Sequence, residues 1–132
     1  MKKLSQWIFP ALTVMLVAFI FWNSFQDADA SNAASDNFRF LFGGDMFWIR
    51  KSAHFAEYFL LGVLLALDVR KKEIRRLIGW LIVAALLVAL TDETIQYYAV
   101  GRSSEVWDVW IDTVGAGLGV AAAAWIICKK RK

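Results

Sequence analysis

The sequence has few of the residues that form disulfides, interrupt helices or link domains. Its only cysteine, Cys128, excludes an internal disulfide and a CxxC metal motif, and is either a small buried residue or a palmitoylation site. Its only proline, Pro10, lies near the start of an apolar stretch, where a missing N–H group does little harm. No Gly/Ser-rich or proline-rich linker divides the 132 residues, so we predict a single domain over residues 1–132.

Charged residues are also scarce, at 20% of the chain against about 25% in soluble domains, whereas hydrophobic residues reach 59%. The hydrophobic residues lie in four blocks separated by charged residues, which is typical of a membrane protein. A helix that crosses a bilayer needs about 20 predominantly apolar residues. We therefore predict an all-α, polytopic membrane protein, a bundle of four transmembrane helices at about residues 5–25, 52–69, 75–98 and 106–128.

Residues 26–50, between the first two blocks, mix aromatic side chains with glycine and charged residues and are too broken to cross a membrane. We interpret them as an interfacial or re-entrant segment on the outer membrane surface. The first block also has a signal-peptide alternative, because Ala28-Asp29-Ala30 fits a small-x-small cleavage site. Its apolar stretch is longer than that of a usual signal peptide and acidic residues crowd the site, so a membrane span is the favoured interpretation.

The distribution of basic residues predicts the orientation. The net charge of +3 comes from short basic clusters beside the apolar blocks, so we predict no nucleic-acid partner. In the four-span arrangement eleven basic residues lie on one side and four on the other. The eleven are Lys2, Lys3, Arg70, Lys71, Lys72, Arg75, Arg76, Lys129, Lys130, Arg131 and Lys132. Because basic residues stay on the cytoplasmic side, we predict a multi-pass protein of the cell membrane with both termini in the cytoplasm.

Polar side chains on three of the predicted helices lie at one depth near the outer surface. Within each set, residues three or four positions apart share a face of the helix. The candidate binding residues are Lys51, His54 and Glu57 in the second helix, Asp92, Glu93 and Gln96 in the third, Asp108 and Asp112 in the fourth, and Arg102 in the short connection before it. A charge at the centre of a membrane helix costs about 2.5–3.5 kcal/mol, so these carboxylates must be paired, hydrated or neutralised. We predict one polar pocket in the outer leaflet, with Arg102 as its main cation.

Small residues and a single histidine complete the predicted site. Gly115 and Gly119 follow Asp112 along one stripe of the fourth helix and allow another helix to approach closely, so the acidic face should point into the bundle. His54 either fixes helix packing through hydrogen bonds or carries a proton, since its charge can change near neutral pH. The spacing matches no established metal motif, so we predict neither a metal nor a cofactor; a divalent ion held by His54 and carboxylates is the alternative.

Several of these residues form motifs in a recognisable order. They are Lys51-Ser52-Ala53-His54-Phe55-Ala56-Glu57-Tyr58-Phe59-Leu60-Leu61-Gly62, then Asp92-Glu93-x-x-Gln96, Gly101-Arg102, Asp108-Val109 and Gly115-x-x-x-Gly119. Across about residues 48–120 this pattern resembles the VanZ-like proteins. Two positions depart from it, since the family usually has proline at the place of Val100 and often asparagine at the place of Asp112. The family is named for a protein associated with low-level resistance to the glycopeptide teicoplanin, so the resemblance implies a bacterial cell-envelope membrane protein.

Three functions are consistent with a polar pocket in the outer leaflet. The favoured one is binding of a membrane lipid, a lipid-linked envelope intermediate or a glycopeptide-like amphiphile, with the contribution to glycopeptide tolerance that the resemblance implies. The second is a membrane-embedded enzyme acting on a phospholipid or isoprenoid phosphate, with His54 as acid or base and Arg102 holding the phosphate. The third is a structural partner in a membrane complex. A homo-oligomer stays open in each case.

Overall fold

The computed structural model of the protein describes residues 2–26, 33, 40, 43, 45–69, 72–101 and 105–129. Four long helices run through these ranges: α1 at Lys2–Phe25, α2 at Met46–Asp68, α3 at Ile74–Tyr98 and α4 at Val106–Lys129. The described residues contain no strand, so the predicted all-α fold is confirmed. Most of the segment predicted to be interfacial lies outside the described residues, but its last part is the beginning of α2.

Three of the helices are long and apolar enough to cross a membrane. Among the described residues these spans are Trp7–Phe25, Ile74–Tyr98 and Val106–Lys129. The remaining helix, α2, has 23 residues and is about 35 Å long, so it is long enough to cross a membrane. It is not one of the three apolar spans, because it contains several polar residues, among them Arg50, Lys51 and Glu57.

Two local features set where the site-bearing helices begin. The Asp45 side chain caps α2 by accepting a hydrogen bond from the Phe47 backbone N–H at 3.1 Å, so the helix begins before the predicted span at 52. Between α3 and α4, Gly101 has φ +74°, a left-handed conformation that favours glycine. The Glu105 backbone N–H, just before α4, donates to the Glu93 carboxylate near the end of α3, so these two helix ends lie close together.

The contact between α2 and α4 is built on glycine. A Cβ atom added at Gly62 would collide with the Ala116 carbonyl oxygen, and one at Gly119 would collide with the Phe59 carbonyl oxygen. At Gly115 the added Cβ would lie 2.9 Å from the Phe55 carbonyl oxygen. The two backbones therefore touch along several turns, as small residues permit in membrane helices.

Apolar residues, many of them alanine, fill the rest of the interior. One buried cluster joins α1 to the other helices, and a second lies toward the opposite end of the bundle. The first contains Ile20, Tyr58, Leu61, Ala85, Ala89 and Ala116, and the second contains Ala66, Ile74, Ala123 and Ala124. Several tryptophans, including Trp22, Trp80 and Trp125, are exposed on the outside, where a membrane protein meets lipid.

Two polar contacts fix the position of α1 along the bundle axis. The Thr13 hydroxyl donates a hydrogen bond at 2.8 Å to Asp68, the last residue of α2. The Ser24 hydroxyl, in the last turn of α1, donates to Asp92 on α3. The end of α1 therefore lies level with Asp92, well inside the last turns of α3, and α1 supplies one wall of the polar site.

Candidate functional site

One histidine and two carboxylates from three helices meet inside the bundle, and we call His54, Asp92 and Asp112 the inner cluster. The His54 Nδ1 atom lies 3.9 Å from an Asp92 carboxylate oxygen and 3.7 Å from an Asp112 carboxylate oxygen. One nitrogen or oxygen atom from each residue lies within 4.8 Å of the others. Both aspartate side chains are fully buried, at 0% exposure, so the cluster is shielded from the surroundings.

The helix register explains why these residues meet. Asp92 lies six residues before the end of α3, and Asp112 lies six residues after the start of α4, so each is about 9 Å below the α3–α4 turn. His54 lies eight residues after the start of α2, about 12 Å along that helix. The glycine contact then brings α2 close enough for its imidazole to reach both carboxylates.

Asp92 is held by hydrogen-bond donors from two helices. One of its oxygens accepts a hydrogen bond from the Ser24 hydroxyl, and the other accepts one from the Gln96 amide at 3.1 Å. The Gln96 amide also donates to the Ser24 oxygen at 3.4 Å. These donors fix the orientation of the carboxylate in a buried site, where an unsatisfied acceptor is costly.

Two other buried groups in the same place have no such donors. Neither oxygen of Asp112 makes a hydrogen bond within the described part of the chain, and the hydroxyl of Tyr58 makes none either. Tyr58 is fully buried, and its hydroxyl interacts electrostatically with Asp92 and Asp112. Leaving such groups unsatisfied costs about 1–3 kcal/mol each, so their arrangement opposes stability.

A second polar layer lies nearer the α3–α4 connection, and we call Lys51, Glu105 and Asp108 the outer network. The Lys51 ammonium group is paired with Asp108 and lies 3.3 Å from Glu105. It also lies 5.2 Å from the centre of the Phe47 ring. The Glu105 backbone N–H donates to the Glu93 carboxylate at 3.2 Å, which joins the start of α4 to the end of α3.

The predicted site residues thus divide between the two layers. His54, Asp92, Gln96 and Asp112 belong to the inner layer, and Lys51 and Asp108 belong to the outer one. Glu57 is half-buried on α2 and interacts electrostatically with His54, and Glu93 is buried near the outer network. Arg102, which we predicted to be the main cation, lies outside the described residues. Among the described residues, Lys51 takes the pairing role.

Ser24 and Glu105 are residues of the site that sequence reasoning missed. Ser24 had one usable signal, since it is a polar residue near the end of an otherwise apolar block. Glu105 directly precedes α4, three residues before Asp108, where an acidic side chain faces the same side as the helix's first turn. Neither signal identified the contact that the residue makes. Ser24 meets Asp92 because of the axial position of α1, and Glu105 meets Lys51 because of the axial position of α2.

A groove runs along the outside of the α3–α4 contact beside these layers. Its volume is about 620 Å³, and apolar side chains such as Leu86, Leu90 and Val109 line most of it. Glu93 and Glu105 also line it, and the hydrogen bond between the Glu105 backbone N–H and the Glu93 carboxylate places them together near the start of α4. The groove therefore has an apolar length and an acidic end, which is the shape of a site for an amphiphile.

Removing the Ser24 hydroxyl should destabilise the protein by leaving Asp92 without one of its donors. We expect Ser24→Ala to lower the free energy of unfolding by about 1–3 kcal/mol, measured by denaturant titration in detergent. Ser52→Ala is the matched control, because the Ser52 hydroxyl is exposed and donates only to the backbone oxygen of Trp48, one turn away. Equal stability of the two variants would contradict the role given to Ser24.

Helices of spanning length and ionisable groups buried between helices define a multi-pass membrane protein with a polar interior. The family model described as VanZ/LLP1 matches residues 9–128, which include nearly all of the four helices. The chain therefore belongs to the VanZ/LLP1 family, and the predicted resemblance is confirmed. The corresponding comparisons give no match to a curated protein or to a solved structure.

Proposed function

We propose that the protein binds an amphiphile in the α3–α4 groove, with the acyl chain along the apolar side chains and a cationic headgroup at the acidic end. The observation that carries the proposal is that Glu93 and Glu105 are the acidic residues of a groove whose lining is otherwise mostly apolar and aromatic. A glycopeptide-like amphiphile with an amino group fits this description. Its capture at the membrane would be the contribution to glycopeptide tolerance that membership of the family suggests.

The charges around the groove favour a cationic or neutral headgroup over a lipid phosphate. Two carboxylates line the outer end of the groove, and they would repel a phosphate. Lys51, the cation that the described residues place beside them, is already paired with Asp108 and close to Glu105. This arrangement supports amphiphile binding over the alternative of an enzyme acting on a phospholipid or isoprenoid phosphate.

The proposal includes a topology in which α2 also crosses the membrane. Its length of 23 residues is sufficient, and it packs against α1, α3 and α4, so its polar face is covered by protein instead of lipid. Both termini and the basic residues around position 72 would then face the cytoplasm. The acidic end of the groove would face the outer leaflet, where an envelope amphiphile arrives.

Binding to the full-length protein in nanodiscs tests the proposal with a long-chain alkylamine and the alkyl phosphate of the same chain length as probes. We expect the amine to bind more tightly, and the double variant Glu93→Gln/Glu105→Gln to weaken its binding by about tenfold, the effect of losing a charge-assisted contact of about 1.4 kcal/mol. Glu73→Gln, at the opposite end of α3, is the matched charge control and should bind normally.

A second variant tests the volume of the groove separately from its acidic residues. Leu90→Trp adds volume inside the groove and should weaken binding of both probes while leaving both carboxylates in place. Equal affinity for amine and phosphate, or unchanged amine binding in the double glutamine variant, would contradict the proposal. In cells, expression should raise tolerance to teicoplanin, and the double glutamine variant should lose this effect at equal membrane levels.

A further inference from the structure

We propose that the inner cluster is a binding site for one divalent transition-metal ion, held by His54 Nδ1 and the carboxylates of Asp92 and Asp112. These three residues come from α2, α3 and α4. The site is separate from the α3–α4 groove, since neither His54, Asp92 nor Asp112 lines that groove. Metal binding here is therefore distinct from amphiphile binding in the groove and can be measured separately.

The distances favour an ion between the groups over direct hydrogen bonds. The His54 nitrogen lies 3.9 Å from the Asp92 oxygen and 3.7 Å from the Asp112 oxygen, and both distances exceed a hydrogen bond of about 2.7–3.2 Å. Two ligands that each lie about 2.0–2.2 Å from one tetrahedrally coordinated ion are roughly 3.3–3.6 Å apart, slightly closer than the distances observed here. The widest separation in the set is within 4.8 Å, so small side-chain shifts bring all three atoms into one coordination sphere.

An independent observation also points to a missing ligand. The hydroxyl of Tyr58 is fully buried, lies within electrostatic reach of Asp92 and Asp112, and makes no hydrogen bond within the described part of the chain. Both carboxylate oxygens of Asp112 are also buried without a hydrogen bond in that part of the chain. A bound ion would use an Asp112 oxygen directly, and a water on the ion would give the Tyr58 hydroxyl a partner.

The charge balance and the donor types identify the class of ion. As ligands, two aspartates buried at 0% exposure would carry two negative charges, which a divalent ion neutralises while His54 stays a neutral ligand. Mg²⁺ and Ca²⁺ prefer sites made entirely of oxygen atoms, whereas an imidazole nitrogen with carboxylates suits Zn²⁺ or Mn²⁺. The Ser24 and Gln96 donors that hold Asp92 are the type of outer support that orients metal-binding carboxylates.

Metal titration of the full-length protein tests this site directly. After the purified protein has been stripped with a chelator, we expect it to bind about one Zn²⁺ per chain, measured by elemental analysis, and Co²⁺ with visible absorption bands of a protein site. Asp112→Asn keeps the size of the side chain and should lower the affinity by more than the roughly 10–100-fold seen when an outer support is lost. Ser24→Ala, which removes such a support, should lower it by about 10–100-fold.

The groove variant Glu93→Gln/Glu105→Gln is the control, and it should bind Zn²⁺ as the unmodified protein does. This variant also separates the two proposals, because it should weaken only amine binding, whereas Asp112→Asn should weaken only metal binding. Failure of the unmodified protein to bind Zn²⁺, Mn²⁺ or Co²⁺ at micromolar concentration would overturn the inference. Unchanged Zn²⁺ affinity in Asp112→Asn, with the protein still folded by its unfolding curve, would overturn it as well.

Discussion

Replacing Lys51 with methionine is expected to destabilise the protein strongly, because Asp108 then loses its cation in a largely buried place. The side chains of Lys51 and Asp108 are 15% and 13% exposed, so solvent screens the pair only partly. Removing one partner of a fully buried pair costs about 3–5 kcal/mol, and the partial exposure here reduces the expected loss to about 2–3 kcal/mol. Denaturant unfolding in detergent gives the free energy directly.

Two further variants make this prediction specific to the pair. Lys51→Met/Asp108→Asn removes both charges and should recover most of the stability, since no buried charge is left alone. Arg50→Met removes a neighbouring exposed cation of the same helix and should change stability by less than about 0.5 kcal/mol. A double variant as unstable as Lys51→Met would show that the lysine acts through its packing rather than through Asp108.

Gly119→Leu is expected to have a still larger effect, because it separates α2 from α4. A side chain at this position meets the backbone oxygen of Phe59, which no change of rotamer avoids. We expect a loss of about 3 kcal/mol or more, seen as aggregated or unfolded protein in size-exclusion chromatography and as a lower unfolding temperature. The inner cluster should be lost with the contact, since His54 reaches the two aspartates only through it.

The chain provides a closely matched control for this substitution. Gly117 lies on the same helix two residues away, and a Cβ added there meets nothing within 4 Å. Gly117→Leu therefore changes the same residue type by the same volume but places it toward open space. A protein that tolerates Gly119→Leu as well as Gly117→Leu would contradict the close α2–α4 contact.

The sequence predicted the parts of the fold that depend on local pattern. Apolar blocks gave the helices, and the spacing of Asp92 and Asp112 from the α3–α4 connection gave their common depth, whereas Asp108 lies one layer nearer that connection. The Gly115-x-x-x-Gly119 spacing pointed to a packing face, and the glycines do lie against the backbone of α2. Each of these features follows from the helical repeat along one segment of the chain.

The features that the sequence did not predict depend on how the helices lie relative to each other. Ser24 meets Asp92 because of the axial position of α1, which no pattern within α1 encodes. Hydropathy does not show that Asp92 and Asp112 point inward while Asp108 pairs with Lys51 one layer above. Gly62 was visible only as part of a motif, because its close contact becomes apparent only when Ala116 is placed against it.

The central claim is that side chains from separate helices share one interior site, and paired cysteines test it most directly. In a Cys128→Ser background, the variant His54→Cys/Asp112→Cys is treated in membranes with a short thiol cross-linker and then cut with trypsin at the basic residues between α2 and α3. The account predicts that the α2 and α4 fragments stay joined, whereas the control pair Ala56→Cys/Asp112→Cys, with position 56 on the exposed face of α2, separates. Fragments that separate in the first pair, or that stay joined equally in both, would contradict the account.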